Sequence, residues 1–181
     1  MAVLSLDPTT STPEDADAPV LAQRPANLEG QVLGIVANGL GISEVMFDAL
    51  AAVRCEEHGV RDVVKVVKPS VAVPPWPEQW EEIIGQATVA VTGFGGCGSC
   101  STRSMRDAID LEAQGIPSVC VVHSALVPAV RALARLVGGP DYPIVVVDYP
   151  HNPTAMWDKD EAAAVGSQVV EGVYRCLTAG H

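Results

Sequence analysis

Two of the five cysteines of this chain lie close together in a glycine-rich stretch. The stretch is GFGGCGSCSTRS, residues 93–104, and it places Cys97 and Cys100 between a valine-rich run and a helical pattern. A cysteine in the first turn of a helix meets free backbone N–H groups and the positive end of the helix dipole, which both favour the thiolate. In Cys-x-x-Cys arrangements at such positions the thiol pKa falls from about 8.5 to between about 3.5 and 7.5. The spacing therefore predicts that Cys97 is a nucleophile and that Cys100 resolves the resulting mixed disulfide or sulfenic acid.

The same loop has two other interpretations. Glycine-rich turns before a helix also bind phosphate through their N–H groups, although this one lacks the lysine and Ser/Thr of a Walker loop and the acidic residue of a dinucleotide site. A metal site is the second alternative, since two thiolates and two imidazoles suit tetrahedral zinc. Its ligands would be Cys97, Cys100, His123 and His151. Zinc is the one cofactor that the sequence suggests, although the sequence lacks the second half of a structural zinc signature.

Short valine-rich runs alternate with longer periodic segments from residue 31 onward. Continuous apolar runs are typical of parallel strands that are buried on both faces. The pattern predicts a doubly wound, mainly parallel five-stranded sheet in a three-layer α/β/α sandwich, with strand order 2-1-3-4-5. The predicted strands are 31–37, 62–68, 87–93, 117–123 and 143–149, and the predicted helices are 42–58, 77–85, 101–114, 126–137 and 158–178.

Several residues mark the ends of these helices. Ser101 is placed to cap the third helix, and Pro77 suits the first turn of the second. Glycines follow three of the helices, where a left-handed residue commonly ends a helix. They are Gly59, Gly115 and Gly138.

Polar residues follow the predicted strands at one edge of the sheet, where ligands bind in open α/β folds. His123 and His151 are candidates to move protons for the thiol, because histidine titrates near neutral pH. Lys68 is expected to bind a substrate carboxylate, and Gly98 to let the two sulfurs approach. The full set of predicted substrate-binding residues is Asn38, Gly39, Lys68, Gly95, Gly96, Gly98, Ser99, Ser124 and Asn152.

Composition limits the organisation and the partners of the chain. Residues 1–28 are predicted to form a flexible N-terminal arm, and residues 29–181 a single α/β domain. The formal net charge of −11 excludes a nucleic-acid or anionic-membrane footprint. No apolar run approaches the length of a membrane span and no signal peptide is evident, so we expect a cytoplasmic protein whose cysteines are reduced unless their pairing is part of a catalytic cycle. Packing roles are expected for Cys55, Cys120 and Cys176.

The stretch GFGGCGSCSTRSMRDAIDLEAQGIPSV, residues 93–119, resembles the UGSC family, whose tetrad begins with selenocysteine in some members and cysteine in others. The resemblance implies a redox-active or nucleophilic chalcogen at Cys97, with Cys100 as its partner and Gly98 and Ser99 between them. It also implies a likeness to the selenoprotein subunits of glycine and betaine reductases.

Three hypotheses for function follow. The first is a thiol-dependent enzyme, a redox enzyme or lyase, that acts on a small electrophilic metabolite and depends on a reductant protein or partner subunit. The second is a metal-dependent hydratase, hydrolase or lyase that uses the same cysteines and histidines as ligands. The third is a non-catalytic small subunit of a larger complex. A homo- or hetero-oligomer is expected in each case.

Overall fold

The computed structural model describes residues 21–137, 139–148 and 158–179, and five strands within them form one parallel sheet. The sheet order is β2-β1-β3-β4-β5, and all four neighbouring pairs are parallel. The predicted fold class and strand order are therefore confirmed. The strands are β1 (Val32–Ala37), β2 (Asp62–Val67), β3 (Val89–Gly95), β4 (Ser118–His123) and β5 (Ile144–Val147).

Helices cover both faces of the sheet. One apolar cluster packs α1, α5 and α6 against one face, and two others pack α2, α3 and α4 against the opposite face. This arrangement is the predicted three-layer sandwich. The helices are α1 (Ser43–His58), α2 (Pro77–Gln86), α3 (Gly98–Ala113), α4 (Val127–Leu136), α5 (Lys159–Gln168) and α6 (Val170–Leu177), with a short 3-10 helix at Ser124–Leu126 before α4.

The burial of each strand follows its place in the sheet. Every residue of β1, β3 and β4 is buried, because helices cover both faces of these central strands. The two edge strands keep exposed positions, and Val146 in β5 is 47% exposed. The continuous apolar runs of β1, β3 and β4 thus reflect strands that never face water.

The last predicted helix, 158–178, is two helices that meet at Val169. Gly166 of α5 packs so closely on α1 that a Cβ there would lie 3.0 Å from the Met46 carbonyl carbon. This close approach fixes α5 along α1, whereas α6 contacts β4 and β5. One straight helix would not make both sets of contacts.

The helix-end predictions for Pro77, Gly59 and Gly115 agree with the structure. Pro77 is the first residue of α2. Gly59 and Gly115 have positive φ angles of 65° and 80° after α1 and α3. Gly138 lies outside the described residues.

The described part of the N-terminal arm lies against the domain. Leu28 is fully buried in the core, and the Arg24 guanidinium donates to both oxygens of the buried Glu112 carboxylate at 2.7 and 2.9 Å. The Ser118 N–H and the Tyr142 hydroxyl donate to the same carboxylate, so Glu112 joins α3 to the arm and to the elements around β4. Residues 1–20 lie outside the described part, and their flexibility stays a prediction.

No helix in the described ranges is both long and apolar enough to cross a bilayer.

Candidate functional site

Cys97 and Cys100 stand at the start of α3 and are joined by a disulfide bond, with their Cα atoms 5.2 Å apart. The structure therefore brings together the two sulfurs that the spacing predicted to act as a pair. The Cys97 side chain is partly exposed, whereas Cys100 is 1% exposed. A solvent-borne reagent meets Cys97 first, and Cys100 lies behind it.

The Cys97 sulfur is the cap of α3. It accepts the Cys100 backbone N–H at 3.2 Å and lies 3.4 Å from the Ser99 hydroxyl. The prediction that Ser101 caps this helix is wrong, because the helix begins three residues earlier, at Gly98. Within the described residues, the buried Ser101 hydroxyl has no hydrogen-bond partner. A sulfur in the capping position receives the N–H donation and dipole field that stabilise an anion there.

Glycines set the path of the chain into this helix. Strand β3 continues to Gly95, two residues beyond its predicted end, through a register shift against β4. A Cβ on Gly95 would lie 2.6 Å from the Cα and N of Ser101, and one on Gly93 would lie 2.7 Å from the Val121 carbonyl oxygen. The strand can therefore meet α3 and β4 this closely only with glycine at these two positions. Gly96 is buried between this strand end and Cys97.

Gly98 has a different role from the predicted one. A Cβ built on it meets no atom within 4 Å, and its φ is not positive. The approach of the two sulfurs therefore does not depend on the missing side chain at Gly98.

Asn38 and Gly39 form the turn after β1. The Asn38 amide donates to the Phe94 carbonyl at 2.9 Å and its oxygen accepts the Leu40 N–H at 3.0 Å. Gly39 has a φ of 76° and packs against the Lys68 carbonyl. The two residues, which were predicted to contact a ligand, thus contact other parts of the protein, and Asn38 is fully buried. They fix the β1 turn to the strand that carries the cysteine loop.

Lys68 lies beneath the rim rather than on it. Its ammonium is 2.9 Å from Asp107 of α3, and both side chains are 0% exposed. The same carboxylate accepts from Arg103 at 2.6 and 2.9 Å. Burial lowers the pKa of Lys68 and raises the pKa of Asp107, while the attraction between the two charges opposes both shifts. Lys68 holds α3 to the end of β2 and offers no exposed ammonium to a substrate.

His123 ends β4 beside the cysteine loop. Val122 pairs with Gly95, so His123 and Gly96 follow at the same edge of neighbouring strands. The imidazole is 6% exposed, and its Nδ1 accepts the Ala125 N–H at 3.1 Å, which leaves the ring proton of the neutral form on Nε2. Next to it, the Ser124 hydroxyl donates to Asp148 at 3.1 Å and links the ends of β4 and β5. The role of His123 as acid or base stays a prediction.

Two predicted residues, His151 and Asn152, lie outside the described residues. Their contribution to the site therefore stays a prediction.

With this geometry in place, comparison with known proteins identifies the family. A model of the UGSC family matches residues 5–179. The chain belongs to the UGSC family. That Cys97, Gly98, Ser99 and Cys100 form the tetrad of the family stays a prediction. The predicted likeness to glycine and betaine reductase subunits is not tested by this match and stays a prediction.

One solved structure resembles the UGSC-family chain weakly. It is the FMN-dependent cysteine decarboxylase SpaF, which is 16% identical, with a TM-score of 0.42 over 80% of this chain and 98% of that chain. A similarity of this size gives no information about activity. A comparison with curated proteins finds no match.

The metal alternative was examined among the described residues of this UGSC-family chain. No three histidine, cysteine or acidic side chains of these ranges converge in a way that would hold a metal ion. One predicted ligand, His151, lies outside them, so the metal hypothesis stays a prediction.

The sequence reasoning missed the charged side chains of α3. Arg103, Arg106 and Asp110 lie on its outer face next to Ser99, and Asp107 lies on its inner face. The motif STRSMRDAID contains the signal, since Arg103, Arg106 and Asp110 follow one another at intervals of three and four residues and so share one helix face.

Proposed function

We propose that this UGSC-family chain is a thiol-dependent enzyme that reduces a small electrophilic metabolite. The observation that carries the proposal is the placement of Cys97. Its partly exposed sulfur caps a 16-residue helix, accepts a backbone N–H, and has a second, buried sulfur bonded to it. A thiolate needs stabilising donors and access to react, and a resolving thiol needs only to reach the first sulfur.

The proposed reaction balances as a two-electron reduction. The Cys97 thiolate attacks the electrophilic atom of the substrate, a sulfur–substrate bond forms, and the leaving group departs with an electron pair and takes a proton. The Cys100 thiolate then attacks the Cys97 sulfur, the disulfide forms, and the released fragment takes the second proton. The substrate gains two electrons and two protons, and the dithiol loses them. A reductant of the dithiol class must return the disulfide to two thiols before the next cycle.

The chain's own residues have separate roles in this proposal. The Cys100 N–H and the Ser99 hydroxyl stabilise the Cys97 thiolate. His123, at the neighbouring strand end, is proposed to supply the proton for the leaving group. Gly95 and the Lys68–Asp107 pair keep the start of α3 in place.

The test is the pH dependence of alkylation of the reduced protein by iodoacetamide, followed peptide by peptide with mass spectrometry. We expect Cys97 to titrate between about 3.5 and 7.5, below the value of about 8.5 for a free cysteine thiol, for which N-acetylcysteine amide is the reference compound. The Ser99→Ala variant is expected to raise the Cys97 pKa by about half a unit, since one hydrogen bond to the thiolate is lost. A Cys97 that titrates together with the reference compound contradicts the proposal.

Hydrogen peroxide, used as a model electrophile, tests the order of the two sulfurs. The wild type should form the Cys97–Cys100 disulfide, and Cys100→Ser should accumulate a sulfenic acid on Cys97 that dimedone traps. In Cys97→Ser, the buried Cys100 should stay a thiol at matched peroxide exposure. Faster oxidation of Cys100 than of Cys97 in the two single variants would overturn the assigned roles.

A further inference from the structure

The β1 turn, residues 38–42, lies where the order of the strands reverses. β1 has β2 on one side and β3 on the other, and the helices that follow β1 and β3 cover opposite faces of the sheet. Ligands of open α/β folds bind in the crevice that such diverging connections leave at the carboxyl ends of the strands. The β1 turn and the start of α1 form one side of this crevice.

The backbone of the β1 turn presents free N–H groups. Gly41 has a φ of 57°, in the left-handed region, and Ile42 follows with a φ of −103° and a ψ of 26°. Turns of this kind point successive N–H groups into one hollow, which binds anions. Within the described residues, the N–H groups of Gly41, Ile42 and Glu44 have no acceptor, whereas the Ser43 N–H closes the turn onto the Leu40 carbonyl at 3.2 Å.

A buried hydroxyl without a partner stands at the same helix end. Ser43 is the first residue of the 16-residue α1 and is 3% exposed, and its Oγ makes no hydrogen bond to any group that the structure describes. Ser43 begins the buried stripe that continues with Met46 and Phe47. Helical side chains lean towards the N-terminus, so this hydroxyl lies at the open end of α1, which Ile42 leaves without a side-chain cap. A buried hydroxyl without a hydrogen bond is costly, and an acceptor bound here would remove that cost.

The rest of the protein holds the β1 turn in place. The Asn38 N–H and side-chain amide donate to the carbonyls of Gly93 and Phe94 at 2.7 and 2.9 Å. Gly39 and Gly41 are exposed, so a ligand reaches the turn from solvent. The donors are therefore fixed before a ligand arrives, which lowers the entropic cost of binding.

The electrostatics of this helix end suit a phosphate group. The free donors are neutral, and the N-terminus of a helix adds about half a positive charge. Glu44 is the acidic residue of the first turn, and its carboxylate lies 3.8 Å from the Lys65 ammonium, which offsets its charge. Donors that follow the curve of a turn do not lie in one plane, so they fit the oxygens of a tetrahedral phosphate better than those of a planar carboxylate.

We propose that the β1 turn and Ser43 bind the phosphate group of a small phosphate monoester. The N–H groups of Gly41, Ile42 and Glu44 and the Ser43 hydroxyl donate to the phosphate oxygens. The remainder of the ester extends from the exposed side of the turn. This inference goes beyond the proposed function and does not depend on the reactivity of Cys97.

Amide NMR spectra of the isotope-labelled full chain provide the test, with inorganic phosphate as the probe and sodium chloride at equal ionic strength as the reference. We expect saturable shifts of the Gly41, Ile42 and Glu44 N–H signals that share one millimolar Kd. Methyl phosphate, the simplest monoester, should shift the same signals with a Kd within about threefold of that of phosphate, and acetate should bind at least about fivefold more weakly.

Ser43→Ala should weaken phosphate binding at least about fivefold, because a hydrogen bond to a charged group is lost. Its Tm in phosphate-free buffer should not fall, because the variant removes a hydroxyl that has no partner. Ser104→Ala is the matched control, since it removes another buried, unpartnered hydroxyl, in α3. Gly41→Ala should weaken binding by about threefold or more, because alanine disfavours the left-handed region. Gly30→Ala is its control, since Gly30 has a φ of 73° and, like Gly41, no atom within 4 Å of an added Cβ.

Several results would overturn the inference. One is the absence of saturable shifts at the three N–H signals, and another is an equal loss of binding in Ser104→Ala and Ser43→Ala. Acetate that binds as tightly as phosphate, or rejection of methyl phosphate, overturns the ligand class. A Ser43→Ala variant with a lowered Tm and an unchanged Kd shows that the hydroxyl is structural, and overturns the site. None of these results bears on the thiol chemistry, which alkylation of Cys97 tests separately.

Discussion

Substitutions of the two partners of the buried Lys68–Asp107 pair are expected to reduce stability by unequal amounts. Asp107→Asn leaves the Lys68 ammonium without a carboxylate at a position that is 0% exposed. Lys68→Met leaves Asp107 with Arg103, which still donates two hydrogen bonds at 2.6 and 2.9 Å. We therefore expect the aspartate substitution to destabilise the fold more than the lysine substitution.

The magnitudes follow from the desolvation of the charge left behind. Removing one partner of a buried ion pair costs about 3–5 kcal/mol when the other charge loses all compensation, which is the case for Asp107→Asn. About 1–3 kcal/mol is expected for Lys68→Met, because Arg103 stays. For a chain of this size these losses lower Tm by roughly 6–20 °C and 2–12 °C. The double variant Lys68→Met/Asp107→Leu should cost less than the sum of the single variants.

Urea unfolding measures these values, provided that the slope with denaturant stays constant among the variants. The control is Lys65→Met, since Lys65 lies on the same strand but pairs with Asp48, whose side chain is 59% exposed. A surface pair of this kind contributes at most about 1 kcal/mol. The reasoning is refuted if Lys68→Met costs more than Asp107→Asn, or if neither costs more than Lys65→Met.

Two further predictions concern backbone contact and pH. Gly95→Ala should destabilise the fold by about 2–4 kcal/mol, since its Cβ would meet backbone atoms of Ser101. Gly85→Ala in α2 should stabilise the fold by up to about 1 kcal/mol, because the Cβ there meets nothing within 4 Å. Chemical denaturation of both variants measures these changes, and a Gly95→Ala variant as stable as the wild type would contradict the prediction. Burial raises the pKa of the Cys120 thiol from 9.0 to about 12, so unfolded chains ionise first and stability falls as pH rises above 9. By pH 10 the loss due to this thiol is on the order of 1 kcal/mol relative to pH 8, and a Cys120→Ala variant that shows the full wild-type slope between these pH values would disprove the assignment.

The sheet was predictable from the sequence because its signal is local. Continuous apolar runs are typical of strands that are covered on both faces, and β1, β3 and β4 meet this condition, whereas the valine run of β5 leaves Val146 exposed. The placement of the tetrad at the end of β3 followed from the same pattern. The pairing of Cys97 with Cys100 followed from their spacing at a helix start.

The errors arose where tertiary contacts override local preference. Glycine is a poor strand residue, so β3 was predicted to end at residue 93, but Gly93 and Gly95 continue the strand because neighbouring backbones approach too closely for a side chain. Serine is a common helix cap, so Ser101 was predicted to cap α3, whereas the Cys97 sulfur holds that position. The path of the Lys68 side chain under the rim depends on Asp107, 39 residues along the chain, and no local pattern reports such a pair.

The two faces of α3 have distinct consequences for the proposed chemistry. The inner face carries Cys100, which is bonded to the helix cap Cys97, and Asp107, which ties the helix to Lys68 at the end of β2, so a change there moves the helix start. The outer face carries Ser99 and Arg106, and a change at Arg106 leaves the helix in place. A rigid helix keeps Cys97 and the arginines at a fixed separation, because their positions follow from one backbone. Variants of the inner face should therefore slow the alkylation of Cys97 by iodoacetamide, whereas Arg106→Gln, on the outer face, should leave this rate unchanged.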